Sequence, residues 1–299
     1  MLNKYYISGF CSLLLLAVSV LAESTINDTH RWSWSSGAGW MNWRSSSTNG
    51  VVVSQYYLSG WIYSSTCGWI HTGDGQPTNG VQYTNASSED YGVNHDGEGH
   101  LSGYAWCEST GWINFGWTNN THADAPRIDL GTGDMSGYAW GGSLGWISLT
   151  NMSAHVKTDK LDVGQIADNG LPLAWQILMT GSTNILAGGD ADYDGDGLTD
   201  YQEFIAGTHP TNSASKLNIA EIAILEDDLI RISWDMAGGR IYQVQTNANL
   251  LNTNGWGYVF PAWINSGTGG VYEADLEIPT TVTSLYYRVR VALPLSQPE

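Results

Sequence analysis

Between Arg31 and Ser148 the apolar and polar positions recur in one block. It reads RWSWSSGAGWMN from Arg31, GWIYSSTCGWIH from Gly60, GYAWCESTGWIN from Gly103 and GYAWGGSLGWIS from Gly137, aligned without gaps. Each copy has a short strand ending in an aromatic, four loop residues, then Gly-Trp and an apolar residue, which predicts an aromatic hairpin. Self-similarity of this kind predicts one supersecondary unit whose copies bury one another. The upstream stretches 91–94 and 127–130, each followed by a turn, add a further strand to a unit, making three-stranded meanders. The expectation is an all-β domain over residues 23–153, closed as a sandwich, a barrel or a small propeller-like assembly.

Taking each four-residue loop as the turn fixes the expected pairing. Trp106 faces Gly111, Ala105 faces Trp112, Tyr104 faces Ile113 and Gly103 faces Asn114. In the fourth copy Trp140 faces Gly145, Ala139 faces Trp146 and Tyr138 faces Ile147. A large indole then covers a residue with little or no side chain. On this reading Trp34, Trp40, Trp69, Trp106, Trp112, Trp140 and Trp146 are core. Trp43, Trp61 and Trp117 stand outside the shared Trp places and are the candidates for exposure and glycan contact, because exposed indoles stack on sugar rings. Arg31 stands where other copies have glycine, and Ile62 where they have Ser or Ala, so copies one and two are expected to be looser or more edge-like.

Beyond the blocks the period changes. Residues 171–178, LPLAWQIL, have helical spacing, and 201–206 begin a second short helix that Gly207 and Pro210 end. Between them, residues 192–203 read DYDGDGLTDYQE. Acids at places one, three, five, nine and twelve, with glycine at six, form an EF-hand-type calcium loop. A hard cation needs six to eight oxygens, which Asp192, Asp194, Asp196, the Leu198 carbonyl, Asp200 and a bidentate Glu203 would supply. Residues 165–176 have the frame of a second loop without its ligands: Gln165, Ala167, Leu173 and Gln176 replace four acids, Asn169 another, and Gly170 keeps its place. One calcium is therefore expected.

From Lys216 onward strict alternation returns over 229–234, 241–246, 271–278 and 285–291, predicting strands, with Gly238-Gly239 joining two as a hairpin. Trp234 and Tyr242 are expected in its core. The fold class is thus mainly β: a repeated β-meander domain at 23–153, a helix-loop-helix calcium linker at 154–212 and a C-terminal β-sandwich at 213–299.

Composition narrows the function. Lys4, the apolar run 10–21 and the small residues Val20 and Ala22 predict a signal peptide over residues 1–22 and secretion. No second apolar run follows, so no integral membrane span is expected after its cleavage. In an oxidising compartment Cys67 and Cys107, the pair left after Cys11 goes, predict a disulfide. A formal net charge of −18 leaves no basic clusters for nucleic acid. No G-x-S-x-G elbow, phosphate loop or H-E-x-x-H is present, and the histidines lack metal spacing, so no enzyme is expected. The carboxylates Glu89, Asp90, Asp96, Glu98 and Glu108 would matter for a glycoside hydrolase only if two of them met in a pocket.

Residues 169–212, NGLPLAWQILMTGSTNILAGGDADYDGDGLTDYQEFIAGTHPTN, are similar to the thrombospondin type 3-like calcium segments of large secreted bacterial proteins. The GYAW-x4-GWI blocks resemble repeats of bacterial exported and cell-surface proteins, and the C-terminal part resembles a small fibronectin-like β-sandwich. These resemblances imply a secreted or cell-surface structural or adhesion protein in which calcium, held by Asp192, Asp194, Asp196, Leu198, Asp200 and Glu203, rigidifies a junction between modules. A lectin that contacts glycans or matrix components through Trp43, Trp61 and Trp117 is the alternative.

Overall fold

Each aromatic block folds as a hairpin, and the glycine before its shared tryptophan sets the register. The computed structural model describes residues 23–225, 229–259, 263–277 and 284–296; the expected signal peptide at 1–22 lies outside the described residues. The hairpins pair Ile26–Ser35 with Gly39–Asn42, Leu58–Ser64 with Gly68–Gly73, Leu101–Cys107 with Gly111–Asn114, and Tyr138–Gly141 with Gly145–Ser148. Their closing pairs are Ser35↔Gly39, Ser64↔Gly68, Cys107↔Gly111 and Gly141↔Gly145, leaving three residues in each loop. The closing glycines have φ of 65, 83, 83 and 71°. A three-residue loop ending in a left-handed residue is a favoured hairpin connection, and glycine enters that conformation without a Cβ penalty.

That loop is one residue shorter than expected, and the difference inverts the pairing. Trp106 faces Trp112, Ala105 faces Ile113 and Tyr104 faces Asn114; Trp140 faces Trp146, Ala139 faces Ile147 and Tyr138 faces Ser148. Because side chains alternate, a one-residue slip turns one strand's whole set of side chains over relative to its partner, so that the two aromatics of a facing pair share one face and Ala and Ile the other. The tryptophans read as core are therefore on the outside: Trp34, Trp40, Trp69, Trp112, Trp140 and Trp146 are 40–53% exposed, and Trp106 is half-buried.

Neighbouring hairpins join in a constant register. Asn42 pairs with Tyr63, His71 with Trp106, Asn114 with Trp140, and Ser148 with Trp34. The last pairing closes an eight-stranded barrel, which leaves these strands no edge. Met41, Ile62, Ile70, Ala105, Ile113, Ala139 and Ile147 fill its interior. The first two hairpins share this closure, so the looser, edge-like packing expected of them is not found. Gly60, Gly103 and Gly137 have their own cause: a Cβ there would lie 2.2, 2.3 and 2.4 Å from the carbonyl oxygens of Gly50, Gly92 and Ala125. At the matching place Arg31 pairs instead with Val156. Val51–Val53 and Val93–His95 add outer strands to the second and third hairpins, and the sheet runs on through Arg127–Ile128, Asp134–Ser136 and His155–Thr158, past residue 153.

Two further expectations change inside the barrel. Trp43 is 1% exposed, with its indole Nε1 donating to Ser33 Oγ at 2.8 Å and its ring edge-on to Phe115. Cys67 and Cys107 are buried free thiols, not a disulfide. The Cys107 thiol is directed at the Cys67 carbonyl oxygen, 3.4 Å away, and lies 3.5 Å from Ser109 Oγ.

The C-terminal strands form two sheets around Ile232, Trp234, Tyr242, Val244, Ala274 and Leu276. Leu229–Met236 lies between Ile219–Ile224 and Gly270–Glu277. Ile241–Asn247 pairs with Gly257–Tyr258, Ile264–Asn265 and Tyr286–Ala292. Trp234 and Tyr242 are fully buried. Gly238-Gly239 therefore crosses between sheets and is not a hairpin turn. A Cβ on Gly239 would lie 2.0 Å from the carbonyl oxygen of Gly97, in the N-terminal part of the chain. Among the described residues no helix is long and apolar enough to cross a membrane.

Candidate metal centre and aromatic girdle

Two short helices frame the acidic loop: α1, Leu173–Thr180, and α2, Asp200–Ala206. The start of α2 is set by a capping box, in which Thr199 Oγ1 accepts from the Gln202 amide at 3.3 Å and Gln202 Oε1 accepts from the Thr199 amide at 2.9 Å. Starting the helix there puts Asp200 and Glu203, three residues apart, on one face. Both are fully buried. Ahead of the helix the chain wraps around its own carboxylates. Asp192 Oδ1 accepts from the amides of Gly195 and Asp196 at 2.8 and 3.1 Å, Asp192 Oδ2 accepts from Gly197 at 2.9 Å, and Asp196 Oδ1 accepts from Leu198 at 2.8 Å. Asp192, Asp194 and Asp196 bring one oxygen each within 4.8 Å of one another.

The loop leaves four carboxylate oxygens buried without a hydrogen-bond partner: Asp194 Oδ2, Asp196 Oδ2, Asp200 Oδ2 and Glu203 Oε2. Burial, reinforced by the Asp194 charge, pushes the Glu203 carboxyl up to about 7, and burial raises Asp200 as well. Orphaned buried carboxylates are costly. A hard cation would remove that cost, and a donor set of carboxylates and carbonyls with no nitrogen or sulfur fits calcium better than zinc. Asp96, Glu98 and His100 also bring ligand atoms within 4.8 Å. There, however, Asp96 is already used: Oδ1 accepts from the amides of Glu98 and His100, and Oδ2 meets His100 Nδ1 at 2.6 Å.

The preceding frame, 165–176, closes differently. Gln176, fully buried at the twelfth place, donates from Nε2 to Asn169 Oδ1 at 3.3 Å and to the Leu171 carbonyl at 3.2 Å, while Asn169 Nδ2 donates to Gln176 Oε1 at 2.9 Å. The side-chain amides at the fifth and twelfth places and the carbonyl at the seventh, where a calcium loop would supply ligands, are thus bonded to one another.

Two basic residues that the sequence reading did not single out tie the loop to the C-terminal strands. Lys216 Nζ donates to the Asp196 carbonyl at 2.8 Å. Arg240, buried, donates from Nη2 to the Phe204 carbonyl at 2.7 Å, from Nε to that of Ile205 at 2.8 Å and from Nη1 to that of Gly239 at 3.0 Å. Its position after Gly238-Gly239 is the one sequence signal: a cation next to a chain crossing that has no side chains of its own to fill it. On the other side, Ala174 and Ile177 of α1 pack with Tyr56 and Val81.

The barrel carries the second feature. Its outer wall holds a girdle of facing pairs, Trp34 with Trp40, Tyr63 with Trp69, Trp106 with Trp112 and Trp140 with Trp146. In the last three the ring centroids are 4.9, 4.6 and 4.8 Å apart. Of the expected glycan contacts, Trp61 and Trp117 lie on this wall, next to Trp69 and Trp146, and Trp43 does not. Asp90, buried, is spent on the hydroxyls of Thr78 and Thr84 at 2.7 and 2.6 Å. Glu108 lines a groove that, among the described residues, holds no second carboxylate. The chain matches no protein-family model, no curated protein and no solved structure.

Proposed function

We propose that this is a secreted or cell-surface protein of structural or adhesive role that binds one calcium ion through Asp192, Asp194, Asp196, Leu198, Asp200 and Glu203. The observation that carries the reading is the set of four buried carboxylate oxygens without hydrogen-bond partners in one twelve-residue loop, with Lys216 Nζ 3.6 Å from that of Asp196. The resemblance to thrombospondin type 3-like segments of bacterial secreted proteins points the same way, and the two C-terminal sheets with their shared core are in keeping with a fibronectin-like β-sandwich. No catalytic role is assigned.

The ion's task on this reading is to stiffen a junction. Calcium would hold the start of α2 through Asp200 and Glu203, while Arg240 holds the carbonyls at its end, where a cation also complements the helix dipole. A seven-residue helix is marginal alone, so losing either anchor frees the link between barrel and C-terminal sheets. Isothermal titration and thermal melting with calcium or chelator test this. The parent is expected to bind one ion at about 10⁻⁴ to 10⁻³ M, as extracellular modules do, and to melt at a higher temperature when loaded. An Asp194→Ala chain that binds and melts like the parent would refute it.

A further inference from the structure

The constant register between hairpins repeats one surface around the barrel. At each junction the last residue of a block pairs with the fourth residue of the next, bringing a polar side chain of one hairpin beside an aromatic of its neighbour: Asn42 by Tyr63, His71 by Trp106, Asn114 by Trp140, Ser148 by Trp34. Three of these junctions open as grooves. The first, ≈ 620 Å³, is walled by Trp40 and Tyr63 with Asn42 and Ser65 at its edge. The second, ≈ 960 Å³, is walled by Trp61, Trp69 and Trp106 with Asn49 and Ser109. The third, ≈ 420 Å³, is walled by Trp117, Trp140 and Trp146 with Asn114 and Thr118.

The lining chemistry selects the ligand. Indole faces offer flat apolar surface, and the amides and hydroxyls at their margins offer donors and acceptors in the plane of whatever stacks there. Among the described residues no Lys or Arg lines any of the three grooves, and Glu108 is the single charged side chain that does. In a chain of net charge −18, that combination disfavours polyanions and anionic lipid and suits a neutral ligand. A membrane belt would have an apolar band beside its aromatics. Here the flanking outer positions include Asn42, His71 and Asn114, and the loop tips include Ser36, Ser65, Glu108 and Ser143. Successive junctions are two strand spacings apart, roughly 9 to 10 Å, a step on the order of one disaccharide.

We propose that the girdle binds a neutral pyranose polysaccharide, with sugar rings stacked in the grooves at the first three hairpin junctions so that one chain engages several of them. This names the partner for the adhesive half of the proposed function and makes no use of the calcium half. Affinity electrophoresis of the full mature chain through gels containing hydroxyethylcellulose, galactomannan or soluble starch tests it, with polygalacturonate and phosphatidylcholine vesicles as comparisons. At least one neutral polymer is expected to retard the protein. Three double variants, Trp40→Ala with Tyr63→Ala, Trp69→Ala with Trp106→Ala, and Trp140→Ala with Trp146→Ala, are each expected to weaken that binding by roughly ten- to a hundredfold, because multivalent attachment loses avidity with each site. Circular dichroism and thermal melting of the same variants show whether they remain folded without reference to calcium, which keeps the two readings separable. Should a variant misfold, acrylamide quenching of native tryptophan emission replaces it, and saturating polymer is expected to shield the indoles. The proposal is overturned if no neutral polymer retards or shields the native chain, if vesicles or self-association cover the indoles instead, or if binding survives loss of all three grooves.

Discussion

Residues 165–176 and 192–203 are the same twelve-residue frame closed in two ways. In the second, acids at five places leave four oxygens without hydrogen-bond partners. In the first, Asn169 and Gln176 bond to each other, and Gln176 also takes the Leu171 carbonyl. A charged loop needs an ion from solution, whereas an amide loop carries its own closure. On the calcium reading the chain keeps one ion-dependent and one ion-independent clasp in series, which share a core of Leu171, Trp175, Leu186 and Phe204. The difference teaches that a loop without acidic ligands can still be closed by its own side-chain amides.

The largest expected effect separates them by calcium. Glu203→Gln removes the charge at the twelfth place of the acidic loop, and calcium affinity should fall by about a hundredfold or more. At calcium a hundred times the parent's Kd, that removes most of about 2.7 kcal/mol of ligand-linked stability. Titration calorimetry reads the first quantity and melting the second. Next comes Gln176→Ala, which removes the hydrogen bonds of a fully buried side chain to the Asn169 amide and the Leu171 carbonyl and leaves a gap in its place. It should cost about 1 to 3 kcal/mol, by the same amount with calcium or chelator, while the ion's affinity stays near the parent's. A Gln176→Ala chain whose loss appears only in chelator would mean that the two clasps are not independent.

The same contrast explains what was legible in the chain. The acidic loop could be read because its chemistry is local: five carboxylates and a glycine at fixed places specify an oxygen site regardless of what packs around them. The capped α2 and the strands of the C-terminal part were likewise visible as periodicity. The barrel's faces were not, because they depend on one loop residue. Counting Cys107 as part of the turn sends Trp112 inward; pairing it with Gly111 sends Trp112 out and Ile113 in. What decided the matter was the left-handed glycine, which places the closing pair, and the sequence shows that glycine without showing its φ. Barrel closure through Trp34 and Ser148 joins residues more than a hundred positions apart, a contact no local pattern records. Arg240 was invisible for a related reason, since its partners are backbone carbonyls of Phe204 and Ile205.

The smallest expected effect concerns pH, and it too distinguishes the loops. Without calcium, burial raises the Glu203 carboxyl to about 7 from an ordinary 4.5, so the folded chain holds that proton more tightly than the unfolded one. Stability from this group is then fully present below pH 4.5 and is lost as pH rises through about 7. Asp200, also raised by burial, acts in the same direction. The amide loop has no titrating group at its matching places and contributes nothing. Half-buried His71 and fully buried His95, whose ring pKa values burial lowers, oppose this trend, since unfolding lets them take up protons in acid. The Glu203 share is therefore read as a difference: in chelator, going from pH 5 to pH 8, the parent's Tm should move downward relative to that of Glu203→Gln. With saturating calcium the parent's trend should reverse, because protons compete with the ion for the same oxygens. Parallel pH profiles for parent and variant in chelator would show that Glu203 is not held in the desolvated environment on which the calcium reading depends.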